Sequence, residues 1–187
     1  MDRAGFVLAG GRSSRMGRDK ALLPFKGRTL VEHIAAAVSL VTGDVSLVAG
    51  PGRYHNLGYP VVADVFPACG PLSGIHAALT ASRAEWNLIV ACDMPEVTAE
   101  FLELLLVRAE SGDADAVLPS GVSGRPEPLC AAYRRRSVEP IASALTQGIR
   151  KVTDALGGLD IDIWHVPHSR FFHNLNTVED WTSYSNG

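Results

Sequence analysis

Residues 4–20 read AGFVLAGGRSSRMGRDK. Ala4-Gly5-Phe6-Val7-Leu8-Ala9 is a short apolar run of the kind a strand buried on both faces shows. Gly10-Gly11 ends it. Glycine has no Cβ and tolerates positive φ, so a ligand can approach bare main chain there. Arg12, Arg15, Arg18 and Lys20 follow against one acid, Asp19. Open backbone N–H groups beside a concentration of cations form a site for anions, above all phosphates. Arginine offers paired donors and lysine a mobile point charge, so Arg15 and Lys20 are the expected phosphate contacts, with Arg12 and Arg18 left to solvent. The spacing excludes two familiar phosphate loops. In one, lysine follows the second glycine, whereas Gly17 is followed by Arg18. The other needs G-x-G-x-x-G, whereas Gly10 and Gly11 are adjacent.

Outward from this loop, apolar runs alternate with amphipathic stretches. Strands are expected at 6–9, 45–49, 61–63, 88–91, 116–118, 129–133 and 163–166. Several are β-branched runs fit for burial on both faces of a mainly parallel sheet. Thr29-Leu30-Val31-Glu32 is a capping box opening a helix with Leu30, Val31, Ile34, Ala35 and Val38 on its apolar face. Pro71 suits the first position of a second helix. Thr98 can cap a third that turns Phe101, Leu102, Leu105 and Leu106 inward. Thr177 with Asp180 suggests a short last helix bearing Trp181 and Tyr184. The stretch 120–128 is rich in Gly, Ser and Pro and reads as a loop. The alternation predicts one α/β domain over 1–187, a three-layer α/β/α Rossmann-like fold. Ligands of such sheets bind beyond the carboxyl ends of the strands, where Gly10-Gly11, Asp64 and Asp93 all fall.

The 47% of hydrophobic and 20% of charged residues suit an ordinary globular core. No apolar run reaches the ~18 residues of a membrane span. Met1-Asp2-Arg3 leads straight into the first strand, so no signal peptide is expected and the cytoplasm is the expected compartment. Three cysteines, Cys69, Cys92 and Cys130, are scattered and odd in number, against a disulfide framework or zinc site. Cys92 reads as a small residue packed at a strand end. The six histidines show no metal-ligand spacing. A net charge of −3 argues against a nucleic-acid partner, and a local basic loop suits a small anion.

The loop resembles the L-A-G-G-x-S-x-R-M-G-x-D-K signature of nucleotidylyltransferases with a Rossmann-like fold, and most closely that of the molybdenum cofactor guanylyltransferases, the MobA family. The likeness continues through Gly70-Pro71-Leu72-Ser73-Gly74-Ile75, Cys92-Asp93-Met94-Pro95, Pro126-Glu127-Pro128-Leu129 and Asn174-Leu175-Asn176-Thr177, in the family's order and approximate spacing. It implies a nucleotide-diphospho-sugar transferase type of sheet. It also implies transfer of GMP from GTP to the terminal phosphate of molybdopterin, with loss of pyrophosphate. Leu8, Ala9, Gly10, Gly11, Lys20, Asp64 and Asp93 are then the implied GTP contacts. Arg15, Lys20 and Asp93 are the implied catalytic residues, with Asp93 holding Mg²⁺. One or two carboxylates suffice for Mg²⁺, which keeps several waters. Gly74, Asn174 and Asn176 fall to the acceptor. Asparagines two apart on an extended segment face the same way. Arg125, the PEPL segment and Arg150-Lys151 are expected in the same cleft, and Trp164 and Trp181 either stack on a pterin or pack internally. Transient contacts with other proteins of molybdenum cofactor synthesis follow from the same reading.

The second glycine of Leu8-Ala9-Gly10-Gly11 favours a purine, because cytidylyltransferases acting on the same pterin usually read LAAG. One departure stands against this. Where the family often has an asparagine after the second strand, this chain has Ala49-Gly50-Pro51, leaving backbone groups or Asn56 to meet the base. The alternatives are such a cytidylyltransferase, a sugar- or polyol-phosphate nucleotidylyltransferase, and a nucleotide-binding adaptor without catalysis.

Overall fold

The computed structural model describes residues 2–10, 19–64, 66, 69–175 and 181. Its main sheet is built from β1 (Arg3–Leu8), β4 (Ser46–Ala49), β5 (Val61–Ala63), β6 (Trp86–Ala91), β7 (Ala116–Ser120), β8 (Cys130–Arg134) and β9 (Ile161–His165), in the order β5-β4-β1-β6-β8-β7-β9. A two-stranded hairpin, β2 (Pro24–Phe25) and β3 (Arg28–Thr29), stands apart. Its turn residues Lys26 and Gly27 both have positive φ, the geometry of a two-residue hairpin loop.

The helices are α1 (Leu30–Thr42), α2 (Pro71–Ala81), α3 (Ala99–Glu110), α4 (Val138–Thr146) and α5 (Val152–Ala155). The expected local signals operate. Glu32 N–H donates to Thr29 Oγ1 at 3.4 Å, Thr29 N–H returns to Glu32 Oε2 at 2.8 Å, and α1 buries the five apolar residues assigned to its inner face. Pro71 opens α2. Thr98 Oγ1 accepts from Phe101 N–H, and the four apolar residues assigned to α3 are buried together with Ala109.

Side chains alternate across the sheet and separate two cores. Val7, Leu47, Leu88 and Val90 face α1 and α3. Phe6, Leu8, Val48 and Ile89 face α2 and α4. This is the expected three-layer arrangement. The layers come close enough to restrict residue size at Gly5. A Cβ there would lie 2.4 Å from Val38 Cγ1 and 2.9 Å from the Asp44 carbonyl oxygen, so α1 docks on β1 only over a glycine.

The sheet differs from expectation in one respect that matters for the site. β8 pairs antiparallel with both neighbours, β6 and β7, while the other pairings of the sheet are parallel. A reversed strand begins where its neighbours end, and Cys130 sits opposite Val90 near the end of β6. The loop before β8 therefore reaches the same edge as Gly10, Asp64 and Asp93. Strand ends elsewhere shift by one to three residues, most at β1, expected at 6–9 and observed at Arg3–Leu8, while β5 falls where expected. Among the described residues no helix is long and apolar enough to cross a membrane.

Candidate active site

β1 delivers Leu8, Ala9 and Gly10 to the carboxyl edge of the sheet. Ala9 N–H donates to the Val48 carbonyl at 2.9 Å, and Cys92 N–H donates to the Leu8 carbonyl at 3.2 Å. The main chain just before the phosphate loop is thus pinned between β4 and β6. The chain is next described at Asp19, which caps the 3₁₀ turn Lys20–Leu22 and accepts from Ala21 N–H. This turn brings Lys20 to the end of β6. Its Nζ lies 2.9 Å from Asp93 Oδ2, joining residues 73 apart in sequence, and both side chains are largely buried. A lysine and an aspartate at the end of a parallel sheet, beside an open glycine backbone, form a ready-made place for a polyphosphate and its counter-ion.

Asp19 and two residues that the sequence reading passed over hold this arrangement. Tyr54 is buried, with its backbone in the left-handed region at φ 60°. Its Oη donates to the Asp19 carboxylate, with Oδ2 at 2.9 Å and Oδ1 at 3.0 Å, and the Ala9 carbonyl lies 3.0 Å away as a second acceptor. Burial and the adjacent Asp19 raise the phenol's pKa. Arg53 pairs with Asp19 and lays its guanidinium 4.8 Å from the centre of the Tyr54 ring. The residue before Lys20 is thereby tied to the last residue of the β1 run. Their only signal in the sequence was Asp19 itself, the lone acid of a basic loop.

Asp64, after β5, lies two strands from β1. Its Oδ2 accepts from Ser73 Oγ at 2.6 Å and its Oδ1 from Phe66 N–H at 2.9 Å, so it also organises the turn into α2. Gly74 packs under β1: a Cβ on it would lie 3.1 Å from Leu8 Cδ2. Asn174 is brought to the centre by its neighbour, because Leu175 N–H donates to the Asp93 carbonyl at 3.0 Å. The Asn174 Oδ1 atom is buried and unpartnered among the described residues. Arg15, Gly11 and Asn176 lie outside the described residues, as do Arg12, Arg18, Thr177, Asp180 and Tyr184.

The remaining candidates sort by packing. Trp164 stacks on Phe101 at 5.5 Å and Trp181 lies 6.2 Å from the Phe25 ring, so both pack internally. Arg150 donates to Cys69 Sγ, and Lys151 pairs with Asp154 of the helix it precedes. Asn56 is exposed. Cys92 is buried, which together with the Asp93 charge pushes its thiol up to about 12, against a nucleophilic role. Compared letter by letter, LAGG and LAAG differ at Gly10 rather than at Gly11, so the argument about base size belongs to Gly10. Among the described residues a Cβ there would meet nothing nearer than 3.8 Å. The packing of the described residues leaves room for alanine at Gly10.

Fold and site together define a nucleotidyltransferase of the nucleotide-diphospho-sugar transferase fold. CMP:2-keto-3-deoxy-manno-octonic acid synthetase, solved with CTP, shares that fold at a TM-score of 0.81 and 14% identity, over 100% of this chain and 98% of that one. Within this class residues 5–160 match the MobA-like NTP transferase domain, and the chain belongs to that family. It is 32% identical over 177 residues to a probable molybdenum cofactor guanylyltransferase of Flavobacterium johnsoniae, covering 94% of this chain and 92% of that one. The solved molybdopterin-guanine dinucleotide biosynthesis protein A of Archaeoglobus fulgidus superposes with a TM-score of 0.83 at 28% identity, over 98% of this chain and 97% of that one.

Proposed function

We propose that this protein transfers the GMP unit of GTP to the terminal phosphate of molybdopterin. A phosphate oxygen of the acceptor attacks the α-phosphorus, the bond from that phosphorus to the bridging oxygen breaks, and pyrophosphate leaves. The observation that carries the reading is the Lys20–Asp93 pair at the edge where Gly10 exposes the β1 backbone. No covalent nucleophile is needed. The chain positions two anions and offsets their charge.

Within this proposal Leu8, Ala9, Gly10 and Gly11 line the nucleotide's path. Lys20 and Arg15 neutralise the departing pyrophosphate, and Asp64 contacts the nucleotide side. Gly74, Asn174 and Asn176 serve the acceptor. Among the described residues no group of three His, Cys, Asp or Glu side chains could hold a metal by itself. Asp93 meets Lys20 through Oδ2, leaving Oδ1 for an ion that arrives with the triphosphate. That fits Mg²⁺, which binds through one or two carboxylates plus phosphate oxygens and water. When bound, the ion supplies charge neutralisation on the phosphate oxygens. A cytoplasmic site of action belongs to the same proposal.

The test is calorimetric binding of GTP, CTP and ATP with Mg²⁺, followed by guanylylation of molybdopterin. Preference for GTP with acceptor-dependent release of pyrophosphate is expected. Preference for CTP would make the protein a cytidylyltransferase, and nucleotide binding without turnover would make it an adaptor.

A further inference from the structure

The turn after β7 and the segment after β9 enclose a groove of about 540 Å³, lined in part by Gly121, Glu127, Ser169, Phe172 and His173. Its wall is closely fitted. A Cβ on Gly121 would lie 2.4 Å from Ser169 Oγ, and Val122 N–H donates to the same oxygen at 3.0 Å. Phe172 supplies a buried aromatic surface, edge-on to Phe101.

The groove adjoins the proposed reaction centre. Ala91 N–H donates to the Leu129 carbonyl at 2.7 Å, placing the Glu127-Pro128-Leu129 corner against the end of β6, two residues from Asp93. His173, in the groove, adjoins Asn174, and Leu175 N–H is bonded to the Asp93 carbonyl.

Two carboxylates line this groove, Glu96 and Glu127, and Glu127 is the one on the corner bonded to the end of β6. Its main chain is fixed at both ends, with its N–H on the Pro119 carbonyl at 2.9 Å and its carbonyl accepting from Cys130 N–H at 3.0 Å. Its half-buried carboxylate makes no hydrogen bond or ion pair with any described residue. Burial, with the Asp93 charge, raises its pKa, and Arg125 opposes the rise. A half-buried acceptor lacking a donor is costly unless a ligand supplies one.

We infer that Glu127 recognises the 2-amino-4-oxopyrimidine edge of the acceptor's pterin, its two carboxylate oxygens accepting the parallel N2–H and N3–H donors. This rests on molybdopterin being the acceptor. The two donors of that edge match a single carboxylate as a guanidinium does. Guanine carries a similar edge, but the nucleotide's backbone loop lies at the end of β1. The groove lies beyond β6, along β8, β7 and β9. Asp93 separates the two, as a transfer between a base-bearing donor and a pterin-bearing acceptor requires.

The experiment uses pterin and lumazine, which differ at the recognised edge: lumazine carries an oxo group where pterin has its 2-amino group. Fluorescence titration of the intact protein should show pterin binding about ten- to a hundredfold more tightly, the effect of one charge-assisted pair of hydrogen bonds. Glu127→Gln places a donor where an acceptor is needed. It should remove the discrimination while leaving GTP affinity and thermal unfolding unchanged. Equal binding of the two rings by the unaltered protein overturns the inference, whether or not the variant folds. So does discrimination that survives Glu127→Gln, or a variant that loses GTP binding instead. Guanylylation of molybdopterin by the unaltered protein, measured alongside, separates the outcomes. If it persists while the rings bind alike, only the role of Glu127 fails. If it is absent, the acceptor reading fails.

Discussion

Tyr54 Oη lies within 3.0 Å of both Asp19 carboxylate oxygens and of the Ala9 carbonyl. One phenol therefore fastens the two described ends of the phosphate loop to each other, and Lys20 inherits its direction from that fastening. Tyr54→Phe keeps the ring under Arg53 and removes only the hydroxyl. The expected stability loss is about 1 kcal/mol, read from urea unfolding. The KM for GTP should rise more than kcat falls. Unchanged GTP kinetics with lowered stability would leave Tyr54 a purely structural residue.

Lys20 and Asp93 compensate each other at 2.9 Å. Asp93→Asn removes the negative partner and the proposed anchor for Mg²⁺. Turnover should fall by about a hundredfold or more while some nucleotide binding persists. Normal turnover in that variant would exclude Asp93 from the mechanism. Lys20→Met should weaken triphosphate binding as well, measured by calorimetry.

Gly5 and Gly10 answer differently to alanine. At Gly5 the added methyl meets Val38 Cγ1 at 2.4 Å, and overpacking of this kind costs about 1–3 kcal/mol. At Gly10 the nearest atoms among the described residues are 3.8 Å away. Gly5→Ala should therefore lower the urea midpoint, and Gly10→Ala should leave it in place while raising the KM for GTP. A stability loss at Gly10 and none at Gly5 would contradict the packing described here.

His33 and His76 set an acid limit. Burial lowers the pKa of His33, Lys26 and Arg28 lower it further, and the hydrogen bond to the Pro95 carbonyl opposes them. Burial also lowers that of His76, against the raising influence of Asp64 and Glu139. Both rings favour the neutral form more in the fold than in the unfolded chain, which takes up protons at the ordinary histidine value. Stability is then full above that value and lost as pH falls through the lower folded values. Urea midpoints measured between about pH 7.5 and 5 should decline, and His33→Gln should flatten the decline. An identical slope in the variant would remove His33 from the effect.

The sequence disclosed these features unevenly, for physical reasons. The face of α1, its Thr29–Glu32 cap and the Thr98 cap were legible because helical period and capping chemistry are local. Lys20 and Asp93 were legible as candidates through a motif, although their contact spans 73 positions. The reversal of β8 was not legible. A strand buried on both faces is an apolar run whichever way it points, and direction is decided by its neighbours. The contacts of Asp19 with Arg53 and Tyr54 were hidden for a related reason. The partners are 34 and 35 residues apart, and Arg53-Tyr54 follows a Gly-Pro-Gly stretch that reads only as a turn.

The reversed β8 has a consequence for how such an enzyme can be altered. The half of the sheet formed by β5, β4, β1 and β6 carries the proposed nucleotide path, and the loop between β7 and β8 arrives from the opposite flank. Rewriting residues 121–128 would change one flank of the cleft without passing a mutation through the other. On the proposed assignment the donor and acceptor sites are exchangeable modules, and acceptor choice is the property to reprogram by grafting that single loop.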